Sequence, residues 1–347
     1  MPEAMPYRLI VASPRSAGRP IAAVVVNPTK VDAAKLRAAV SSAASAAGWG
    51  TTAWFETTET DAGQAAAASA LRRGASLVIV AGGDGTVRAV AEGLRGSKVA
   101  LALVPSGTGN LLARNLELPV SSVTDSLEIA FNGIDHVIDI GVVEIERAAS
   151  TGATEEHVFL VMAGIGLDAK MIKNTSTKLK KAVGWLAYVD GITRSIPELS
   201  PVKLRYRLDG GAERALTAHT VIIGNCGLLP GGFLLMPDAK LDDGILDIAA
   251  LRPRGPFGWL NVWNKVAWEN GVLRKSAIGR MIIDLSRDVR DVKYLTGKQL
   301  SMTIEAPEEF QLDGDEFGEA TAVRAWVEPH ALTVRMPAPV ALKPADD

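Results

Sequence analysis

Three glycines and one aspartate stand between an apolar run and an alanine-bearing segment at Val78-Ile-Val-Ala-Gly-Gly-Asp-Gly-Thr-Val87. Gly82, Gly83 and Gly85 let backbone N–H groups approach phosphate oxygens, and a helix starting there turns its positive end to the same anion. Thr86 can cap that helix or touch a phosphate. A carboxylate cannot attract a phosphate, so the natural partner of Asp84 is Mg2+ bridging the oxygens of a nucleotide. The plainer alternative is a glycine turn with an Asx cap. The segment is neither a Walker loop, which needs Gly-Lys-Ser/Thr, nor the Gly-x-Gly-x-x-Gly dinucleotide turn. Short hydroxyl and amide side chains also follow apolar runs at Asn27-Pro28-Thr29, Thr57-Thr58-Glu59 and Gly107-Thr108-Gly109-Asn110. These are the C-terminal ends of strands, where open α/β sheets bind ligands. Two aspartate-rich segments remain, Met236–Asp247 and Gln311-Leu-Asp-Gly-Asp-Glu316. By themselves they read as an Asp-Gly hairpin and as an acidic turn with solvated carboxylates. His136, His157, His219 and His330 are too scattered for a zinc site or a triad.

Such loops need a sheet to carry them. From about Arg19 short β-branched runs alternate with alanine-rich helical segments: strand Ile21–Val26, helix Asp32–Ala47, strand Leu77–Val80, helix Thr86–Leu94, strand Val99–Val104. Strand–helix alternation predicts a parallel sheet with helices on both faces, so residues 19–139 form an α/β nucleotide-binding domain. After Asp139 short β-runs follow turn chemistry, at 137–146, 158–162, 202–208, 218–224, 245–250, 300–304, 322–327 and 332–336. That spacing predicts an antiparallel, sandwich-like second domain over 140–337. Two helices, Thr177–Ile196 and Phe257–Leu273, interrupt it. Residues 1–18 are expected to be a flexible leader and 338–347 a flexible tail.

With 347 residues the chain fits two domains of ordinary size. Apolar residues at 48% and charged residues at 22% exclude global disorder and a fibrous repeat. A net charge of −2 excludes the general basic footprint of nucleic-acid binding. One cysteine, Cys226, excludes an internal disulfide and a cysteine-rich metal site and reads as a small buried hydrophobe. The longest uncharged stretch, His219–Pro237, is broken by glycines and prolines and cannot be a spanning helix, so a cytoplasmic protein is expected. Contact with a membrane surface would be local. Its candidates are the run Lys170–Lys181, with five lysines and no acid, and Trp259 and Trp263 on one helix face beside Lys265.

The glycine loop, followed by a strand ending in Pro105-Ser-Gly-Thr-Gly-Asn110, resembles bacterial diacylglycerol kinases and the wider sphingosine-kinase-like lipid kinases. NAD kinases and phosphofructokinases share only the first element. The resemblance runs from Asn27 to about Met336 in five blocks in the same order. It implies an α/β N-terminal domain with an NAD kinase/phosphofructokinase-like parallel sheet, plus a mainly antiparallel β-sandwich second domain. It implies ATP at Asn27, Pro28, Thr29, Thr57, Gly82, Gly83, Asp84, Gly85, Thr86, Gly107, Thr108 and Asn110, with Mg2+ organised by Asp84. In the second domain it implies a structural Mg2+ or Ca2+ on the Asp243 carboxylate and the backbone carbonyls of Lys240 and Ile245, with Asp247 supporting the turn.

The acidic turn falls where this family carries Asp-Gly-Glu. A lipid hydroxyl is a poor nucleophile, and a positioned carboxylate can accept its proton as the γ-phosphate is approached. Asp313 is the expected base. Asp315 stands where the family has the longer Glu, and can bind a second Mg2+, act as base itself or leave that to Glu316. Val87-Arg88-Ala89 replaces the family's Val/Ile-Asn-Glu, with Arg88 expected as a solvated helix residue. Asn110-Leu-Leu-Ala-Arg114 lacks the family's aspartate after the asparagine. Gly164-Ile-Gly-Leu-Asp168 matches a further block, with a structural use expected for Asp168. The implied activity is transfer of the ATP γ-phosphate to a lipid hydroxyl, diacylglycerol first, at a membrane surface, with a homodimer through an edge strand open. The alternatives are an NAD kinase and an ATP-binding regulatory protein without catalysis.

Overall fold

Val24, Val26, Leu77, Ile79 and Val104 are apolar on consecutive strands, and a sheet covered on both faces is what such runs can build. The structure, a computed structural model, describes residues 19–148, 154–166, 201–229, 233–252 and 292–339. The chain divides into two units, residues 1–138 with 330–347, and residues 139–329.

The first unit alternates β1 (Ala22–Val26), α1 (Ala33–Ala46), β2 (Ala53–Glu56), α2 (Gln64–Arg72), β3 (Leu77–Gly82), α3 (Asp84–Leu94) and β4 (Ala100–Pro105), then α4 (Leu111–Asn115) and α5 (Val123–Asn132). All pairings are parallel, in the order β4-β3-β1-β2. Leu36, Val40 and Ala44 of α1 and Leu127, Ala130 and Phe131 of α5 cover one face. Asp32 caps α1 by accepting the amides of Ala34 and Lys35, both at 3.1 Å. At the edge strand β2, the Arg37 guanidinium lies 4.3 Å over the Trp54 ring and that of Arg73 lies 5.2 Å over Phe55.

The chain enters the second unit along β5 (Ile134–Glu146). It continues through β6 (Thr154–Phe159), β7 (Met162–Ile165), β8 (Val202–Leu208), β9 (Arg214–Ala218) and β10 (Thr220–Gly224). A small hairpin follows, β11 (Leu228–Leu229) with β12 (Phe233–Leu234), and then β13 (Leu246–Leu251), β14 (Val292–Gly297), β15 (Gln299–Leu312) and β16 (Asp315–Met336). β5 with β6, β8 with β9, β10 with β7 and β13, β13 with β14, and β15 with β7, β8 and β16 all pair antiparallel. β15 is shared by two layers: residues 300–304 pair with β8, a register shift follows between Thr303 and Glu308, and residues 310–312 pair with β7. A bulge of this kind bends a strand from one layer into the next. Phe159, Ile165, Leu204, Tyr206, Ile223, Ile248, Met302 and Phe310 fill the core.

Three readings differ from the structure. α3 begins at Asp84, so Thr86 is its third residue and not its cap; Gly83, in extended conformation, is the N-cap. The end of β16 returns to the first unit, where Val334 pairs in parallel with Leu101 and Arg335 donates to Gly133 O at 2.9 Å, whereas the sequence reading gives residues up to 337 to the second domain. The two-residue hairpin with positive φ at both positions is Asp313–Gly314 (φ 50° and 90°), not Asp243–Gly244, where only the glycine is left-handed. The leader, the tail, helices 177–196 and 257–273, Asp168, Lys170–Lys181, Trp259 and Trp263 lie outside the described residues.

Candidate active site

In the first unit the loop between β3 and α3 and the loop between β4 and α4 are fastened to each other by Asp84. Its Oδ2 accepts the Asn110 amide at 2.9 Å and its Oδ1 the Leu111 amide at 2.5 Å, so the carboxylate caps the start of α4. Asn110 sits in the left-handed region at φ 50° and closes its own loop, accepting Gly107 N–H and donating to Gly107 O, both at 3.0 Å. Ser106 N–H donates to Gly82 O at 3.0 Å.

This closeness explains the glycines. A Cβ on Gly109 would stand 2.6 Å from Asp84 Oδ2, and one on Gly107 would stand 2.9 Å from Gly83 Cα. Gly82 faces the Thr86 side chain, whose Oγ1 accepts Asn27 Nδ2 at 3.5 Å. Asn27 Oδ1 accepts the Thr29 amide and hydroxyl at 3.0 and 2.7 Å, an Asx turn that leaves Pro28 and Thr29 exposed at the end of β1. Thr57 is buried at the end of β2, its N–H donating to Val26 O at 2.9 Å.

Asn27, Thr57, Gly82–Thr86 and Gly107–Asn110 therefore gather at the C-terminal ends of four parallel strands, and Thr108 is exposed there. The first turn of α3 presents amides with no helical acceptor. Arg88, one turn on, is not solvated: it is 9% exposed, on the buried side of a helix that also buries Thr86, Ala89, Val90, Ala91 and Leu94.

In the second unit Asp313 and Asp315 flank the tip of the β15–β16 hairpin and have opposite environments. Asp313 is 5% exposed, and its carboxylate accepts three successive amides: Leu160 at 2.9 Å, Val161 at 2.8 Å and Met162 at 3.0 Å. Its own N–H donates to Met162 O at 2.8 Å. Burial, and then the charge of Asp313, push the Cys226 thiol well up, so Cys226 stays a neutral donor to Leu160 O at 3.4 Å. Asp315 and Glu316 are exposed. Sequence spacing could not separate Asp313 from Asp315, because the partners of Asp313 are about 150 residues away.

The segment 238–247 lies in the same unit. Asp243 Oδ1 accepts the Ile245 amide at 3.1 Å. Asp139, 0% exposed and not singled out by the sequence, accepts the Gly244 amide at 2.7 Å. Burial raises the Asp243 carboxyl, with Asp139 adding to the effect, and raises Asp247 to about 6, with Asp243 and Asp238 adding to it. Among the described residues no three His, Cys, Asp or Glu side chains gather to hold a metal by themselves. Partly desolvated carboxylates that raise one another fit a hard divalent cation, which would take Asp243 with the carbonyls of Lys240 and Ile245.

Residues 21–143 match the family model described as the diacylglycerol kinase catalytic domain, and residues 160–336 match the YegS C-terminal NAD kinase beta sandwich-like domain. A Pseudomonas aeruginosa protein named "probable lipid kinase YegS-like" is 32% identical over 276 residues, 78% of this chain and 79% of that protein. A Bacillus subtilis diacylglycerol kinase is 32% identical over 210 residues, 59% of this chain and 64% of the relative. One from Mycobacterium tuberculosis is 29% identical over 181 residues, 52% of this chain and 56% of the relative. The chain thus spans little more than half the length of some of the diacylglycerol kinases it matches. A crystal structure of a diacylglycerol kinase from Bacillus anthracis str. Sterne shares the fold, with a TM-score of 0.61 at 19% identity over 93% of this chain and 98% of that one.

Proposed function

The chain belongs to the family of diacylglycerol kinases and YegS-like lipid kinases, and we propose that it transfers the γ-phosphate of Mg·ATP to the hydroxyl of a membrane lipid, diacylglycerol first. The observation that carries this reading is the joining of two glycine loops through Asp84. It sets the amides of α3 and the Gly107–Asn110 loop beside one another as a rigid polar rim, ready for a chain of phosphates. Asn27, Pro28, Thr29 and Thr57 border that rim. The nucleotide's Mg2+ would be met by the Asp84 carboxylate, an oxygen ligand suited to a hard divalent cation. The cation would neutralise charge developing between the β- and γ-phosphates.

For the alcohol, we assign the proton to Asp315 in place of Asp313. Three amides already take three of the roughly four acceptor positions of Asp313, which suits it to fixing the turn. Asp315 is exposed, two residues on. As the lipid oxygen bonds to the γ-phosphorus, Asp315 takes the hydroxyl proton; the bond from that phosphorus to the β–γ bridging oxygen breaks, and ADP leaves. A cation at Asp243 would fix the fold of the 238–245 loop and take no part in transfer. We further propose that the protein works at a membrane surface, with the lysines of 170–181 drawn to anionic lipid.

The test is an acceptor panel with γ-labelled ATP: diacylglycerol, monoacylglycerol, a sphingoid base, NAD and no acceptor. Label in a chloroform-soluble product supports the reading. Label in NADP alone makes the protein an NAD kinase, and tight Mg·ATP binding with no label in any acceptor makes it a regulatory nucleotide binder.

A further inference from the structure

The amides that fix Asp313 are themselves fixed from the opposite side by Asn225 and Cys226, and the Asn225 side chain alone carries that support on to a third segment. Residues 160 and 161 form the bend between β6 and β7, and Met162 opens β7. Their N–H groups meet Asp313, and the Leu160 and Val161 carbonyls meet the segment just after β10. Asn225 Nδ2 donates to Leu160 O at 3.1 Å, and the N–H groups of Asn225 and Cys226 donate to Val161 O at 2.9 and 3.3 Å. The other hydrogen of Asn225 Nδ2 goes to Asp139 O at 3.0 Å, so a single amide ties three segments together. The Asp139 carboxylate then reaches Gly244 at the end of the aspartate-rich loop.

Two further observations show what this position requires. Asn225 is 1% exposed, and its Oδ1 is buried with no hydrogen-bond partner among the described residues. Turning the amide over would set that oxygen against two carbonyls, so the donors decide the orientation. Leaving an acceptor unmet in the interior is costly, and the structure sustains that cost to place two N–H groups on two carbonyls. A hydrophobe of the same size could pack there but could not join the segments.

We infer that Asn225 is a positioning residue for the phosphoryl-acceptor turn: it holds the 160–162 segment in the shape that receives Asp313, and so sets where Asp315 stands. The inference rests on the reading of Asp315 as the base, while its first consequence can be measured without turnover. Asn225→Asp keeps the size and removes both donor hydrogens; Asn225→Ala removes the amide without adding charge. Hydrogen exchange of the Leu160, Val161 and Met162 amides should speed up by at least about tenfold in either variant. With the labelled-ATP assay, kcat should fall by about tenfold or more while KM for ATP stays within about twofold, because the nucleotide loops lie in the other unit.

Met302→Ala, in the core of the second unit, is the control for plain loss of stability: Tm falls, with kcat within about threefold and the exchange of 160–162 no faster than that of its neighbours. Should Asn225→Asp fail to fold, Asn225→Ala decides. Wild-type exchange at 160–162 together with wild-type kcat in a folded variant overturns the inference, as does an equal loss of kcat and ATP binding. If the wild-type protein phosphorylates no acceptor but the exchange result holds, the support of the bend stands and the kinase reading fails.

Discussion

Asp313 and Asp315 have the same chemistry and lie two residues apart, yet burial divides their roles. Asp313→Asn turns an NH2 towards amides that need an acceptor, and should cost about 2–3 kcal/mol of stability in a denaturant titration. Asp315→Asn, at an exposed position, should stay within about 0.5 kcal/mol of wild type. Equal destabilisation by both would mean that Asp313 is not the anchor. Gly109 allows a second residue-scale prediction. A methyl there meets Asp84 Oδ2, so Gly109→Ala should weaken Mg·ATP binding by about tenfold in calorimetry, whereas Gly96→Ala, with open space around its Cβ position, should leave binding unchanged.

At the scale of elements, the helix and strand periods were legible in the first unit because its strands are continuous apolar runs separated by alanine-rich helices. The C-terminal ends of those strands, where Asn27, Thr57, Gly82–Thr86 and Gly107–Asn110 stand, are legible for the same reason. Other features were hidden, for identifiable reasons. β16 runs from Asp315 to Met336 across both units, and nothing in a β-branched run marks where its pairing partner changes. Arg88 reads as a surface cation because charge is a poor guide to burial when a helix is covered on more than one side. The anchoring of Asp313 on 160–162 and of those residues on Asn225 depends on distant backbone amides, which leave no mark in side-chain spacing. The hairpin carries its own test. Gly314 has φ 90° and no atom within 4 Å of a Cβ position, so Gly314→Ala adds backbone strain alone. It should lower stability by about 1–2 kcal/mol and reduce turnover, with ATP affinity unchanged; a rise in stability would rule out the strained turn.

At the scale of the whole molecule, charge is nearly balanced, and among the described residues no helix is long and apolar enough to cross a membrane. The acidic loop should give stability a distinctive pH dependence. Asp247 is raised to about 6, so the folded protein prefers its protonated form; that contribution is complete below the unfolded value near 4 and is lost as pH rises through 6. In chelator, Asp247→Asn should therefore stabilise the protein at pH 7.5 by about 1 kcal/mol, after allowance for solvent screening, and change little at pH 4. Mg2+ or Ca2+ should raise the wild-type Tm more at pH 7.5 than at pH 5. A cation-independent Tm at both pH values would argue against the loop as a metal site. The proposed function is a transfer of phosphate from ATP to a lipid, and the rate of that transfer tests the account most directly. The decisive measurement is the initial rate of label transfer from γ-labelled ATP to diacylglycerol in mixed micelles, for the wild type and for Asp315→Asn. The account predicts labelled phosphatidic acid from the wild type and a loss of at least about a hundredfold in the variant, with ATP binding retained. Wild-type turnover by Asp315→Asn, or no labelled lipid from either protein, would contradict it.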